Sequence, residues 1–158
     1  MNKIKEFVIK MVTKSSKPML ESTFKTIGDF SKAFYDNNGK QALPIITEIS
    51  NKTGEERVSI VRNMMKVNDM KDVGEAFSMM NMIMDMGMET IELSDYTFHF
   101  TIQKCPYGLQ DTNIELCQAM MATDKTMFDR FLGHEVEMEI LQSVAQGDET
   151  CELKFSKK

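Results

Sequence analysis

The apolar residues of this chain change their spacing once, near residue 89, and that change constrains the fold more than any other feature. Before it they recur every three or four residues. Beyond it, Tyr96, Phe98, Phe100 and Ile102 alternate with Thr97, His99, Thr101 and Gln103, the period of a strand with one buried face. Ser94-Asp95 supplies a turn, so Glu89 to Leu93 is expected to be the hairpin partner. Val136, Met138 and Ile140 alternate with Glu135, Glu137 and Glu139, and after the Gly147-Asp148 turn Cys151, Leu153 and Phe155 share a face. These two segments predict a second hairpin. Between the hairpins, Ile114, Cys117, Met121 and Phe128 form one helical stripe. It opens at Thr112-Asn113-Ile114-Glu115, which has the form of a capping box, and Gly133 closes it.

The region before the change reads as helices. Ile4, Phe7, Val8, Met11 and Val12 fall at helical spacing, and Ser15, Ser16 and Pro18 are expected to end that helix. A second helix is expected to bury Phe24, Ile27, Phe30 and Phe34 and to stop at Asn37-Asn38-Gly39. A third runs through Leu43, Ile46 and Ile49 to Gly54. Thr53-Gly54-Glu55-Glu56 resembles a capping box that would start a fourth, with Val58, Val61 and Met65 inside. Val73, Phe77, Met80 and Met84 mark a fifth. Helices followed by hairpins indicate an α+β fold: N-terminal helices plus a four-stranded antiparallel sheet, its two hairpins separated by a helix, with helices on one face. At 158 residues the chain is expected to be a single domain, 1–158, mainly helical over 1–88 and hairpin–helix–hairpin over 89–158.

Charge excludes some classes of partner. With 24 acidic residues against 19 basic ones and a net charge of −5, a direct nucleic-acid partner is not expected. No apolar stretch has the length of a membrane span, and the lysine-studded N-terminus lacks a secretory apolar run. The three cysteines therefore point to a cytoplasmic, reducing setting. The 16 methionines either stand in for leucine or form an adaptable lining.

The chemistry-bearing residues are few. Cys105, Cys117 and Cys151 are spaced 12 and 34 residues apart, which matches no local zinc knuckle, so any metal or redox site must be assembled by the fold. Cys117 and Cys151 sit on apolar faces. Cys105 has the strand parity of His99, and Pro106 holds it at a corner. His134 lies in a turn. Asp124, inside an otherwise methionine-lined helix, is the one acidic residue with a claim to face a pocket; a solvated position is the reading its residue type favours, a pocket position the alternative. No nucleophile elbow, phosphate loop or paired-histidine helix is present.

Cys105-Pro106-Tyr107, Leu116-Cys117, Gly133-His134-Glu135-Val136 and Gly147-Asp148-Glu149-Thr150-Cys151, in that order and spacing, resemble the 4-vinyl reductase-type small-molecule-binding superfamily. Its methanogen output domain and its 2-amino-thiazoline-4-carboxylate hydrolase-like proteins are the most similar branches. The resemblance covers about the last third of the chain. It implies a dimeric α+β domain with a buried apolar pocket between sheet and helices, for which parity and helical stripe nominate Phe98, Phe100, Met121, Phe128 and Val144 as lining. It also implies a zinc site in related sensory domains, carried here onto Cys117, Ser143 and Cys151 with Glu139 nearby. Ser143 replaces an expected cysteine and removes a soft ligand, so zinc would need Cys105 or His99 in addition. The expected function is a small-molecule or redox-sensing binding protein, a stand-alone regulatory module for a small apolar or aromatic ligand, acting as a homodimer. One alternative is a thiol- or metal-assisted hydrolase of a small sulfur-nitrogen heterocycle, with Cys105 as nucleophile or ligand and His99 as base. The other is an interaction subunit with a protein partner.

Overall fold

A computed structural model describes residues 3–158, with side-chain surroundings from Lys14 onward. The side-chain face predicted for Ile4, Phe7, Val8, Met11 and Val12 lies outside the described residues. Four helices and four strands follow one another: α1 (Lys3–Asn38), α2 (Ala42–Met64), α3 (Met70–Met84), β1 (Glu89–Leu93), β2 (Thr97–Ile102), α4 (Ile114–Leu132), β3 (Val136–Gln142) and β4 (Cys151–Lys157). The sheet is antiparallel throughout, in the order β1-β2-β4-β3. The fold is α+β, as the change of period predicts. No described helix is long and apolar enough to cross a membrane.

The helical half departs from its expected breaks in two places. α1 continues through Pro18. Pro18 is exposed, so the carbonyl its missing amide leaves unpaired faces water, and the helix is not forced to stop there. α2 likewise runs without interruption across Thr53-Gly54-Glu55-Glu56. Gly54 is not a boundary but a crossing point: a Cβ there would lie 2.6 Å from the Thr123 carbonyl oxygen of α4. The Thr123 hydroxyl donates to the Ser50 carbonyl at 3.1 Å, securing the same crossing. At the start of α4 the cap is Asn113, whose side chain accepts from the Glu115 amide, one residue later than the box predicts.

α1 also turns a different face inward. Leu20, Phe24, Gly28 and Tyr35 meet the body of the protein, whereas Ile27, Phe30 and Phe34 of the expected stripe are exposed, Phe30 at 75%. Both faces are apolar, so periodicity alone does not choose between them. Tertiary shape does, because Gly28 admits the backbone of Tyr107 at a distance no side chain tolerates.

The inner face of the sheet is aromatic. Phe98, Phe128 and Phe155 are fully buried; the Phe128 and Phe155 rings stack with centroids 3.8 Å apart, and Phe98 stacks on Phe100 at 4.6 Å. Phe77 of α3 meets Phe98, Phe100 and Phe128. This is a dry, closely packed core. The outer face carries His99, Thr101, Glu139, Glu152 and Lys154.

Candidate functional site

Beside the aromatic core the packing opens into a cavity of about 490 Å³. Its walls come from α1 (Leu20, Phe24), α2 (Arg57, Val61), α3 (Phe77, Met84), β2 (Phe100, Ile102), the β2–α4 connection (Cys105, Tyr107) and α4 (Cys117, Met121, Asp124). Ile60, Met64 and Met80 belong to the same lining yet are exposed, so they mark its mouth. Ten of the 16 methionines line it. A general substitution of methionine for leucine would not concentrate them in one wall. Methionine is the apolar residue that reshapes with least cost, so the enrichment fits a wall that follows its contents.

Of the residues nominated from sequence, Phe100 and Met121 line the cavity. Phe98, Phe128 and Val144 do not. The two rings are held in the aromatic stack, and Val144 is buried in the short 3₁₀ turn before β4. Parity places them on the correct face of the sheet, but the cavity occupies only part of that face.

The cysteines come together as the fold closes. Cys105, Cys117 and Cys151 all line the cavity, with Ser143 among them, and all three are free thiols. The Ser143 hydroxyl donates to the Cys117 sulfur at 3.5 Å. Burial pushes the Cys117 thiol up to about 11, and the Cys151 thiol up as well. Both are therefore neutral at physiological pH, whereas an attacking nucleophile must be a thiolate. Among the described residues no group of three His, Cys, Asp or Glu is arranged to hold a metal ion. This donor set does not fit the zinc site that the resemblance implies.

His99 and Glu139 lie elsewhere. His99 is on the outer face, 2.7 Å from Glu152, and Glu139 pairs with Lys154 there at 3.4 Å. Cys105 shares the parity of His99 but not its face, because β2 ends at Ile102. The amides of Gln103 and Lys104 both donate to the Met86 carbonyl, which bends the chain and returns Cys105 inward. The sheet thus separates Cys105 from His99, which removes the proposed nucleophile–base pair. His134 is a half-buried turn residue bonded to the carbonyl of Glu135.

Apart from Thr23 and Ser143, the polar side chains of the cavity wall are Arg57, Tyr107 and Asp124. Gly28 lets the Tyr107 backbone seat against α1, and the Tyr107 ring packs on Phe24 with centroids 5.3 Å apart. The Arg57 guanidinium lies 5.1 Å from the centre of the Phe24 ring, and its charge acts on the Tyr107 hydroxyl. Burial, reinforced by the nearby Asp124 charge, pushes Tyr107 up to about 12. Asp124 does not occupy a solvated helix position. Burial raises its carboxyl to about 6, opposed only by the Arg57 charge. Arg57 escapes a sequence reading because a half-buried arginine on an amphipathic helix carries no local signature.

Residues 23–155 match the model of a family described as L-2-amino-thiazoline-4-carboxylic acid hydrolase. No curated protein matches the chain. Among solved structures, the phenol-responsive sensory domain of the transcription activator PoxR, with phenol bound, is 12% identical with a TM-score of 0.62; the match covers 84% of this chain and 73% of that one. A trafficking protein particle complex subunit 3 from Naegleria fowleri, covalently bound to palmitic acid, is 12% identical with a TM-score of 0.67, covering 90% and 96%. At that identity the likeness is one of fold.

Proposed function

This chain belongs to the L-2-amino-thiazoline-4-carboxylic acid hydrolase family, and on that premise we propose that it is a regulatory binding module whose cavity takes a small apolar or aromatic molecule. The carrying observation is the methionine-walled cavity of about 490 Å³, within the size range of small-ligand sites. Two proteins of the same fold were solved with phenol and with palmitic acid, which supports ligand binding as a use of this fold. The neutral thiols of Cys117 and Cys151 favour contact with a ligand over redox exchange. Thermal unfolding with ethylbenzene or naphthalene as probe tests the reading. A probe at a hundred times its dissociation constant stabilises by about 2.7 kcal/mol, and Ala76→Phe, which fills the cavity from α3, abolishes the shift. No shift with any apolar probe overturns the proposal.

A hydrolase reading has one observation behind it beyond the family's name. A carboxyl near 6 in an apolar site suits a general base acting on water. Release of product from 2-amino-thiazoline-4-carboxylic acid, lost in Asp124→Asn, would establish it. For the expected homodimer, the exposed Ile27, Phe30 and Phe34 stripe on α1 offers a self-complementary face. Light scattering giving twice the 18.1 kDa chain mass, reduced to one in Phe30→Glu, is the corresponding test.

A further inference from the structure

Asp124 is the one acidic side chain in the cavity wall. Only burial and the Arg57 charge act on its carboxyl; no hydrogen bond reaches it from the described residues. The carboxyl nevertheless keeps some accessible surface, since Ser156 Oγ is the only described side-chain polar atom both sealed from solvent and unbonded. Asp124 is half-buried and belongs to the cavity wall. The other titratable or charged groups that sense Asp124 are Arg57 from α2, Tyr107 from the β2–α4 connection and Cys117 from α4 itself. None of them closes onto it. Arg57 lies over the Phe24 ring, Tyr107 packs on the same ring, and Cys117 is bonded to Ser143. A half-buried carboxylate set in an apolar wall without a hydrogen-bond partner is costly, so the protein leaves open a position that a ligand group can fill.

We propose that the ligand carries a protonated nitrogen on an apolar or aromatic body, and that Asp124 is its counter-ion. This rests on the reading of the cavity as a ligand site. The cation meets a carboxylate where water is scarce and the hydrogen bond is charge-assisted, while the rings of Phe24, Phe77, Phe100 and Tyr107 in the same wall offer their faces to it. A neutral ligand leaves the carboxylate unpaired, and an anionic one adds like charge.

Three probes sharing one ring body, phenethylamine, phenethyl alcohol and phenylacetate, separate the possibilities by calorimetry on the full chain. Phenethylamine is expected to bind roughly 10- to 100-fold more tightly than the alcohol at about pH 7.5, the range for a hydrogen bond to a charged group. The preference shrinks at about pH 5, where the carboxyl is protonated. Asp124→Asn removes the preference and keeps alcohol binding. Equal binding of amine and alcohol, a preference for phenylacetate, or an amine preference that survives in Asp124→Asn overturns the proposal while leaving the ligand site standing. Binding of none of the three overturns both readings. If Asp124→Asn does not fold, the pH dependence of the unmodified chain decides alone.

Discussion

The aromatic core and the methionine-walled cavity share a boundary at Phe100, yet they solve opposite packing problems. On one side Phe98, Phe128 and Phe155 stack in fixed geometry, the Phe128 and Phe155 planes only 2° from parallel. On the other, unbranched thioether side chains surround open space. Rigid rings hold the sheet to α4 and give a single structure; flexible side chains let the adjacent volume change shape. Stability and recognition are thereby assigned to neighbouring but different residues.

Truncation should separate the two regions most strongly. Phe128→Ala is expected to cost about 3–5 kcal/mol in urea unfolding, as for a buried aromatic in a dry core. Met121→Ala, whose side chain already borders empty volume, should cost clearly less than the 2–5 kcal/mol typical of a buried methionine, or about 1–2. Equal costs would erase the distinction between core and wall.

The pH dependence of stability probes the wall alone. Asp124 titrates at about 6 in the folded protein against an ordinary value of 3.8. The folded state therefore holds its proton more tightly, and the stabilisation is fully present below about pH 4 and lost as pH rises through about 6. The change amounts to roughly 2–3 kcal/mol. In Asp124→Asn this component of the stability profile should disappear, and the variant should be the more stable protein above about pH 6. An unchanged profile would place the carboxyl in contact with bulk solvent.

The smallest effects should come from the two glycines that bring elements together, and they sharpen the comparison by location. Gly54→Ala presses a methyl on the Thr123 carbonyl and Thr126 and should cost about 1–3 kcal/mol without changing ligand affinity. Gly28→Ala displaces the Tyr107 backbone. It should cost at least as much, because a Cβ there would run into the Tyr107 carbonyl oxygen, and should weaken binding in the cavity. Loss of binding in both variants would mean that the wall has no independence from the frame.

The strands were legible because period two is a local property: Phe98, Phe100 and Ile102 needed no knowledge of their neighbours to be placed inward. Gly133 and Gly147 were legible for the same reason, each closing an element at positive φ. Legibility failed wherever a second element decided the outcome. Gly54 reads as a break until α4 is known to press against it, and the two apolar faces of α1 are indistinguishable until Tyr107 seats on Gly28. The candidate site followed the same division. Phe100 and Met121 could be found by parity and stripe, but Cys105 is brought inward by amides bonded to Met86, and Arg57, Tyr107 and Asp124 meet only in three dimensions. Asp124 could be noticed in sequence as the acid among methionines, though not placed.

The sparse seating of α1 has a kinetic consequence. α2 and α4 are held together along most of their lengths, while the described part of α1 touches the rest of the described residues at few points, among them Leu20 and Phe24 in the cavity wall and Gly28 beside it. Separating α1 from the wall parts fewer described contacts than opening the sheet does, so α1 is the low-energy local opening among the described residues. Its lifting would widen the way in beyond the mouth at Ile60, Met64 and Met80, while the aromatic stack beneath stays closed and the protein as a whole remains folded.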